Sequence, residues 1–211
     1  MPDLSLYLVT DRGLSLGRST VDIVRAAVAG GVTCVQLREK ECSTRQFVAE
    51  ARAVREVLAG TDIPLIINDR IDVALAVDAD GVHLGQTDML IADARRLVGT
   101  DMLIGISAEC VDDAVRAQAE GADYVGISPV FSTPTKTDAA PALGLDGIAR
   151  IRAATSLPLV GIGGVKPGNA AEIIRAGCDG VAVVSAIVSA PDPRKAATEL
   201  KKIIHAAKEH P

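Results

Sequence analysis

The sequence predicts an α/β fold, a single (β/α)8 TIM barrel. Two observations favour this fold: short apolar runs recur eight times at nearly even intervals, and each run stops at a glycine, a hydroxyl, an amide or a charge. Continuous apolar runs are typical of parallel strands buried on both faces, and segments with helical periodicity lie between them. The 211 residues allow about 26 for each unit (211 divided by 8), which suits a compact barrel.

The eight strands repeat one pattern, an apolar run with a polar or glycine end. In chain order they are expected near residues 6–10, 34–39, 64–68, 81–85, 103–107, 124–128, 158–163 and 180–185. The residues that stop them are, in the same order, Thr10, Glu39, Asn68, Gly85, Ser107, Ser128, Gly163 and Ser185. After the second strand, the spacing of Phe47, Ala51, Val54 and Leu58 predicts a helix with one apolar face.

An internal repeat supports this count of units. A small residue that ends a helix leads into each even-numbered strand, at residues 31–35, 79–82, 121–125 and 177–181. An open doubly wound sheet is the structural alternative, and it would predict a GxGxxG turn after the first strand. Residues 9–13 contain no such turn. No linker or low-complexity tract interrupts the pattern, so we interpret residues 1–211 as one catalytic domain.

Composition limits the partners that the protein can have. The net charge of -5 argues against nucleic acid and anionic membranes, and a chain with two Phe, two Tyr and no Trp has no base-stacking platform. The longest apolar stretches, such as residues 181–187, are far shorter than the roughly 20 residues of a membrane span. We therefore expect small-molecule substrates, with no nucleic-acid or membrane partner. The sequence leaves a homo-oligomer open.

The cysteines indicate a reducing compartment. Cys34, Cys42, Cys110 and Cys178 match no CxxC or metal-finger spacing, and no basic leader with an apolar stretch and cleavage site precedes Tyr7. A catalytic thiol needs an electropositive, partly exposed environment. Buried or incidental free thiols in a cytoplasmic protein are the better interpretation.

A row of polar side chains follows the second strand. Alternation along an extended chain sends Gln36, Arg38 and Lys40 to one side. An Arg fork and a Lys charge can hold several phosphoryl oxygens, while the amide contacts a neutral ring. The alternative is a solvated strand end in which Arg38 pairs with Glu39 or Glu41.

Oxygen ligands follow the third and fourth strands. Asn68 and Asp69 end the third strand, and Asp88 lies just past the fourth. Magnesium is usually held by one or two carboxylates, with waters and substrate phosphates completing its shell. The sequence therefore predicts a Mg²⁺ site. The alternative for Asp88 is the N-cap of a helix that begins at Met89.

Two further polar residues lie on the fourth and fifth strands. His83 has apolar neighbours, so a hydrogen-bonded interior histidine is favoured over a catalytic one. Ser107 ends the fifth strand, where it can contact a ring nitrogen or an amine. The alternative for Ser107 is a cap on the next helix.

The remaining candidates lie in a long loop and after the last two strands. The connection from residue 129 to 141 carries Thr133, Thr135 and Lys136, which suggests a closing lid, with a flexible surface loop as the alternative. Strand seven ends in residues 161–164, Gly-Ile-Gly-Gly, and strand eight in residues 183–185, Val-Val-Ser. In a TIM barrel the amides at these two ends and a helix N-terminus bind phosphate at the C-terminal face.

Together these motifs resemble the thiamine phosphate synthase family along nearly the whole chain. The matching segments are Gln36-Leu37-Arg38-Glu39-Lys40, Ile67-Asn68-Asp69-Arg70, residues 80–86 with Asp88, Thr133-Pro134-Thr135-Lys136, Gly161-Ile162-Gly163-Gly164 and Val184-Ser185-Ala186. The resemblance implies an alkyl transferase that joins an aminopyrimidine-methyl diphosphate to a thiazole phosphate. The pyrimidine-methyl cation would form as diphosphate leaves, and the thiazole nitrogen would capture it.

The resemblance also implies a role for each matching residue. The residues that would contact the pyrimidine diphosphate are Gln36, Arg38, Lys40, Asn68, Ser107 and Lys136. Among these, the catalytic residues would be Arg38, Lys40, Ser107 and Lys136. Asp69 and Asp88 would bind magnesium. The residues that would contact the thiazole phosphate are Thr133, Thr135, Gly164, Val184 and Ser185. The chain departs from the family pattern at Leu90, Glu109, Cys110 and Ser128.

Three other functions use a similar phosphate site. A thiazole tautomerase paralogue lacks much of the diphosphate and metal set, which this chain retains. A phosphosugar epimerase or isomerase needs paired acid and base residues deeper in the barrel. A non-catalytic phosphate-binding barrel would bind its ligand without turnover.

Overall fold

The structure is a computed structural model that describes residues 1–132 and 141–209. Within these ranges, eight parallel strands are hydrogen-bonded in chain order, and the first pairs with the eighth to close a barrel. The strands are β1 (Leu6–Val9), β2 (Cys34–Leu37), β3 (Leu65–Asn68), β4 (Gly81–Leu84), β5 (Leu103–Ala108), β6 (Tyr124–Ile127), β7 (Leu159–Ile162) and β8 (Gly180–Val183). The predicted (β/α)8 barrel is confirmed.

Helices follow each strand and cover the outside of the barrel. They are α1 (Thr20–Gly30), α2 (Thr44–Leu58), α3 (Ile71–Ala76), α4 (Ile91–Val98), α5 (Val111–Ala119), α6 (Gly144–Ala154), α7 (Pro167–Arg175), α8 (Ser185–Val188) and α9 (Pro193–Glu209). Local signals set their ends, as in α2, where Ser43 and Gln46 form a capping box. The buried face of α2 is the one predicted from its spacing. Among the helices of the described ranges, none has both the length and the apolar character to cross a membrane.

The internal repeat has a physical cause at the N-terminal end of the barrel. A side-chain oxygen just before each even-numbered strand accepts a hydrogen bond from a backbone N–H at the start of the preceding odd-numbered strand. The four bonds, at 2.7–3.0 Å, are Leu6 N to Thr33, Leu65 N to Asp80, Ile104 N to Asp123 and Leu159 N to Asp179. This end of the barrel is therefore held by a repeated polar contact, which leaves the opposite end for chemistry.

Side chains of alternate strand residues fill the inside of the barrel. This interior cluster includes Tyr7, Cys34, Ile66, Tyr124, Val160 and Ala182. Two glycines make room for the rings. A Cβ at Gly105 would lie 2.1 Å from Cζ of Tyr124, and one at Gly126 would lie 3.0 Å from Cε1 of His83.

Several strands end earlier than the sequence pattern predicts. The ladder of β2 stops at Leu37 rather than residue 39, and that of β8 stops at Val183 rather than residue 185. The N–H of Arg38 bonds to Oγ1 of Thr10 at 3.0 Å instead of a neighbouring strand. The polar strand ends therefore belong to the loops above the barrel, where they are free to face a ligand.

Candidate active site

A cavity of about 710 Å³ opens at the C-terminal end of the barrel. Ten of the predicted site residues line it: Gln36, Arg38, Lys40, Asn68, Asp69, Asp88, Ser107, Gly164, Val184 and Ser185. Thr133, Thr135 and Lys136 lie outside the described residues. A groove of about 840 Å³ at the other end is lined by none of the predicted residues. The polar candidates therefore converge on one mouth.

The polar row after β2 lies on one wall of this cavity. The guanidinium of Arg38 donates to Oδ2 of Asp11 at 2.9 Å, and both residues line the cavity. The predicted alternative, a pair between Arg38 and Glu39 or Glu41, is wrong. Glu39 points to the other side of the chain, where its carboxylate accepts from Arg12 at 3.1 Å. Alternation along the chain therefore separates the acid from the cations.

Asp69 and Asp88 form a carboxylate pair beside that row. The ammonium of Lys40 contacts Asp69, whose backbone lies in the left-handed region at φ 61°. Burial raises the pKa of Asp69, the contact with Lys40 opposes this, and the neighbouring Asp88 carboxylate adds to it. A non-glycine residue in this conformation is held by its surroundings at a cost, which is typical of functional sites.

Asp88 does not cap a helix. Helix α4 begins at Ile91, and Leu90 at its N-cap makes no side-chain hydrogen bond. The Asp88 carboxylate instead accepts from the backbone N–H of Gly85 at 2.6 Å, so it closes the turn after β4. The N-cap interpretation is therefore wrong. The turn keeps this carboxylate close to Asp69.

The donor set suits a magnesium ion. Across residues 1–132 and 141–209, no group of three or more His, Cys, Asp or Glu side chains is placed to hold a metal. Structural zinc usually takes four protein ligands, and catalytic zinc takes three. Magnesium is often held by one or two carboxylates, because substrate phosphates and waters supply its other oxygens. The pair of Asp69 and Asp88 fits that second pattern.

The opposite wall consists of the turns after β7 and β8. Gly163 and Gly164 have φ values of 98° and 65°, which only glycine adopts readily. Ser185 is the first residue of α8, so its N–H is one of the unpaired donors of a helix start. Lys166, which the sequence did not single out, also lines this wall.

Gly164 also has a packing role that its sequence position does not suggest. A Cβ there would lie 2.8 Å from Cβ of Phe131 and 3.0 Å from the carbonyl oxygen of Ser132. The missing side chain therefore makes room for the chain that follows β6, in addition to any ligand. Replacing Gly164 by valine would disturb that chain as well as the cavity.

The floor of the cavity is a continuous hydrogen-bond chain. Nε2 of Gln36 donates to the Tyr7 hydroxyl at 2.8 Å, and that hydroxyl lies 2.8 Å from the hydroxyl of Tyr124. Nδ1 of His83 lies 3.0 Å from the Tyr124 hydroxyl, and its Nε2 lies 3.0 Å from Oγ of Ser107. The chain crosses the barrel through β2, β1, β6, β4 and β5.

This hydrogen-bond chain supplies the partners of both His83 and Ser107. His83 is a hydrogen-bonded interior histidine, as predicted, and it also lines the cavity. Burial lowers its pKa from 6.5 to about 4. Ser107 does not cap α5, since that helix begins at Val111 and its N-cap residue is Cys110.

The lowered pKa of His83 predicts a loss of stability in acid. The unfolded histidine binds its proton near pH 6.5 and the folded one near pH 4. The stabilisation is therefore complete above pH 6.5 and falls as the pH drops through that window. The loss is at most roughly 3 kcal/mol, since one pKa unit corresponds to about 1.4 kcal/mol. Denaturant unfolding of the wild type, His83→Gln and His205→Gln between pH 7 and 4 measures it.

His205 is the matched control, because it lies exposed in α9 beside Glu209. We expect a flatter pH dependence in His83→Gln and an unchanged one in His205→Gln. The same slope in all three proteins would contradict a lowered pKa for His83.

Sequence reasoning missed several residues that line the cavity. They are Tyr7, Asp11, Gln86, Tyr124 and Lys166. Strand alternation could have found Tyr7 and Tyr124, because both side chains belong to the cluster inside the barrel. No local pattern singles out Lys166, which follows the turn after β7.

The departures from the family pattern fall into two groups. Glu109 and Ser128 line the cavity, whereas the exposed residues Leu90 and Cys110 do not. All four cysteines are free thiols. Burial raises the pKa of Cys178 to about 12 and that of Cys34 well above its ordinary value, which disfavours the reactive thiolate.

Three comparisons describe what this chain is similar to. Residues 6–187 match the family model for thiamine monophosphate synthase. A thiamine-phosphate synthase of Albidiferax ferrireducens is 55% identical, with 96% of this chain and 93% of the relative covered. One of Chloroflexus aurantiacus is 52% identical, with 98% and 95% covered. The solved thiamine phosphate pyrophosphorylase of Pyrococcus furiosus has a TM-score of 0.90 at 40% identity, with 97% of each chain covered.

Proposed function

Since the chain belongs to the thiamine monophosphate synthase family, with thiamine phosphate synthesis as its function, we propose that the described cavity joins an aminopyrimidine-methyl diphosphate to a thiazole phosphate. The enzyme is thus a transferase of an alkyl group. One observation carries the assignment to this cavity: its two walls have different chemistry. Cations and a carboxylate pair line one wall, while glycine turns and a helix start line the other.

The first wall suits the diphosphate. Arg38 offers a planar fork of N–H donors, and Lys40 offers a point charge. In the structure both cations pair with carboxylates, Arg38 with Asp11 and Lys40 with Asp69. These partners keep the two cations in place, with their side chains 31% and 52% exposed. A diphosphate can therefore reach both cations without a change in the barrel.

Asp69 and Asp88 are the proposed ligands of magnesium. When bound, the ion would neutralise negative charge on the departing diphosphate. Asn68, which precedes Asp69 at the end of β3, donates to that carboxylate and holds it toward the cavity. Lys40 would exchange its contact with Asp69 for phosphate oxygens.

The second wall suits the thiazole phosphate. The N–H groups at the start of α8, near Val184 and Ser185, have no partner within that helix. The positive φ values of Gly163 and Gly164 shape the turn after β7, and glycine there permits a close approach of a phosphate to the backbone. Lys166 adds a cation at the same wall, where it balances the charge of a phosphate. The two substrates would thus meet across the cavity.

The reaction follows from this separation of charge. The bond between the methyl carbon and the diphosphate oxygen breaks, the electron pair leaves with diphosphate, and a cation remains on the electron-rich aminopyrimidine. The thiazole nitrogen then donates its electron pair to that carbon. No strong base is needed, so the residues bind, orient and neutralise charge, and each such effect can lower a barrier by about 3 kcal/mol or more.

The central assay uses purified protein, both substrates and magnesium. Release of thiamine phosphate and diphosphate in equal amounts would support the proposal. The absence of product with different divalent metals and at different pH values would refute it. A thiazole tautomerase would change the thiazole phosphate alone. A phosphosugar epimerase would turn over neither substrate, and a non-catalytic barrel would bind without turnover.

Lys136 is the proposed third cation for the diphosphate, on the strength of its motif alone. We expect Lys136→Ala to lower the single-turnover rate far more than the affinity for the pyrimidine diphosphate. The reason is that a contact which strengthens as charge moves to the leaving group stabilises the transition state above the bound substrate. Rapid-quench measurements with saturating thiazole phosphate test this, and an unchanged rate would leave Arg38 and Lys40 as the catalytic cations.

We also propose a cytoplasmic location, because all four cysteines are free thiols, as a reducing compartment would keep them. A homo-oligomer stays an untested prediction. Size-exclusion chromatography with light scattering would decide it.

A further inference from the structure

The hydrogen-bond chain on the cavity floor links two proposed substrate contacts. It runs from Gln36 through Tyr7, Tyr124 and His83 to Ser107, and all five residues line the cavity. Each of its four bonds is 2.8–3.0 Å long.

The hydrogen-bond chain is electrically neutral, and its two tyrosines are fully buried. Tyr7 and Tyr124 are 1% and 0% exposed, and Gly105 leaves only the space that the Tyr124 ring fills. Burial raises the pKa of both phenols, so they keep their hydrogens near pH 7. Both imidazole nitrogens of His83 face hydroxyl oxygens, and a neutral ring with one N–H satisfies both contacts. Each hydroxyl therefore has one hydrogen to donate, and the imidazole has one N–H.

Counting the available hydrogens gives one donor-to-acceptor order along the hydrogen-bond chain, from Gln36 to Ser107. The Gln36 amide nitrogen can only donate, so the Tyr7 oxygen accepts from it. The Tyr7 hydrogen can go to Tyr124 or to the Cys34 thiol, its other hydrogen-bond neighbour. Donation to Tyr124 lets Tyr124 give its own hydrogen to Nδ1 of His83 and keeps the hydrogen-bond chain continuous. The remaining hydrogen of the imidazole lies on Nε2 and points to Oγ of Ser107.

The two ends of the chain then present opposite groups to the cavity. Ser107 accepts from His83, so its own hydrogen is left to donate to a ligand. The amide nitrogen of Gln36 is tied to Tyr7, which turns Oε1 away as an acceptor. Among residues 1–132 and 141–209, no hydrogen bond to that oxygen is found.

We propose that Tyr7, Tyr124 and His83 are positioning residues that set this direction and so select a pyrimidine with an amino group over one with an oxo group. The inference rests on the proposed function, because it assigns Gln36 and Ser107 to the pyrimidine ring. It adds a source of specificity that lies below the substrate.

The chemistry of the two rings explains the selection. An aminopyrimidine offers N–H donors on its amino group and an acceptor at the ring nitrogen. These match an acceptor at Gln36 and a donor at Ser107. The oxo analogue in its lactam form reverses both groups, since it offers a carbonyl acceptor and a ring N–H donor. Reversing the protein to match would require turning every group in the chain, including the buried hydroxyls.

The first experiment measures the direction in the free protein. Nitrogen-15 NMR of labelled histidine reports which imidazole nitrogen carries hydrogen, and His83→Gln identifies the His83 signals. We expect the hydrogen on Nε2 in the wild type, and a rise of the Nδ1-protonated form in Tyr124→Phe, where Nδ1 loses its donor. A wild-type His83 with its hydrogen on Nδ1 would overturn the proposal.

The second experiment measures selectivity. We compare kcat/KM for the aminopyrimidine diphosphate with kcat/KM for its oxo analogue. The wild type should prefer the amino substrate by at least about a hundredfold, because the mismatched ring leaves buried polar groups unpaired. In Tyr7→Phe and Tyr124→Phe this ratio should fall by about tenfold or more, the worth of one hydrogen bond.

Ile66→Val is the matched control, because Ile66 lies in the same interior cluster and takes no part in the chain. Its selectivity ratio should stay at the wild-type value even if its rates fall. A ratio that is equally unchanged in both Phe variants, with their folds intact, would refute a positioning role.

The two proposals fail separately. A wild-type protein that turns over neither pyrimidine would refute the proposed function, while the His83 tautomer would still decide the direction of the chain. A protein that makes thiamine phosphate but shows no preference between the two pyrimidines would refute only the selectivity.

Discussion

Replacing Asp69 or Asp88 by asparagine is expected to lower turnover by at least about a hundredfold, as is usual when stabilisation of a leaving group's charge is lost. Asparagine keeps the size of the side chain, and it tolerates the left-handed backbone of residue 69 better than alanine does. Steady-state rates over a range of magnesium concentrations give the measurement. Excess magnesium should rescue the variants only partly, because one ligand remains.

Asp72→Asn is the control for this experiment. Its carboxylate lies near Asp69 along the chain but is 61% exposed, and it pairs with Arg70 outside the cavity. It should keep close to wild-type activity. If Asp69→Asn or Asp88→Asn behaves like the control at low magnesium, with an unchanged fold, that residue is not a metal ligand.

Removing the guanidinium in Arg38→Ala is expected to lower kcat/KM for the pyrimidine diphosphate by about a hundredfold to a thousandfold. The loss follows because a preorganised cation at the departing diphosphate disappears. Arg38→Lys should recover only part of the activity, since an ammonium lacks the planar fork that binds two oxygens at once. The requirement for thiazole phosphate should change little, because that substrate is assigned to the opposite wall.

Arg70→Ala is the matched control for the loss of a cation. Arg70 lies next to Asp69 in sequence but is paired with Asp72 at the surface, and such pairs contribute about 1 kcal/mol or less. An equal loss of apparent affinity for both substrates in Arg38→Ala would contradict the division of the cavity into two walls.

Interpretations based on neighbouring residues in sequence were the ones that failed. Asp88 precedes a helix and Ser107 lies at the end of a strand, so a capping role was a reasonable expectation for each. In the structure, Asp88 bonds to Gly85 and Ser107 bonds to His83. Partner choice depends on atoms brought together by the fold, and a sequence window contains only some of them.

Gly164 shows the same limit. Its place after β7 suggested room for a phosphate, but a Cβ there would meet Phe131 and Ser132, which are more than 30 residues earlier in the chain. Only the packing of the turn after β7 against the chain after β6 shows this second constraint. The positive φ of Gly164 was, by contrast, compatible with its residue type from the start.

Local sequence patterns are sufficient to predict the barrel and most of the polar residues at its mouth. Apolar periodicity decides which residues are buried, and alternation in β2 decides that Gln36, Arg38 and Lys40 share a side, because both are local properties of the backbone. The partners, by contrast, follow from the folded barrel: Arg38 pairs with Asp11, Lys40 pairs with Asp69, and the hydrogen-bond chain runs through Tyr7 and Tyr124. These contacts join residues from different strands, so they depend on how the closed sheet sets one strand beside the next.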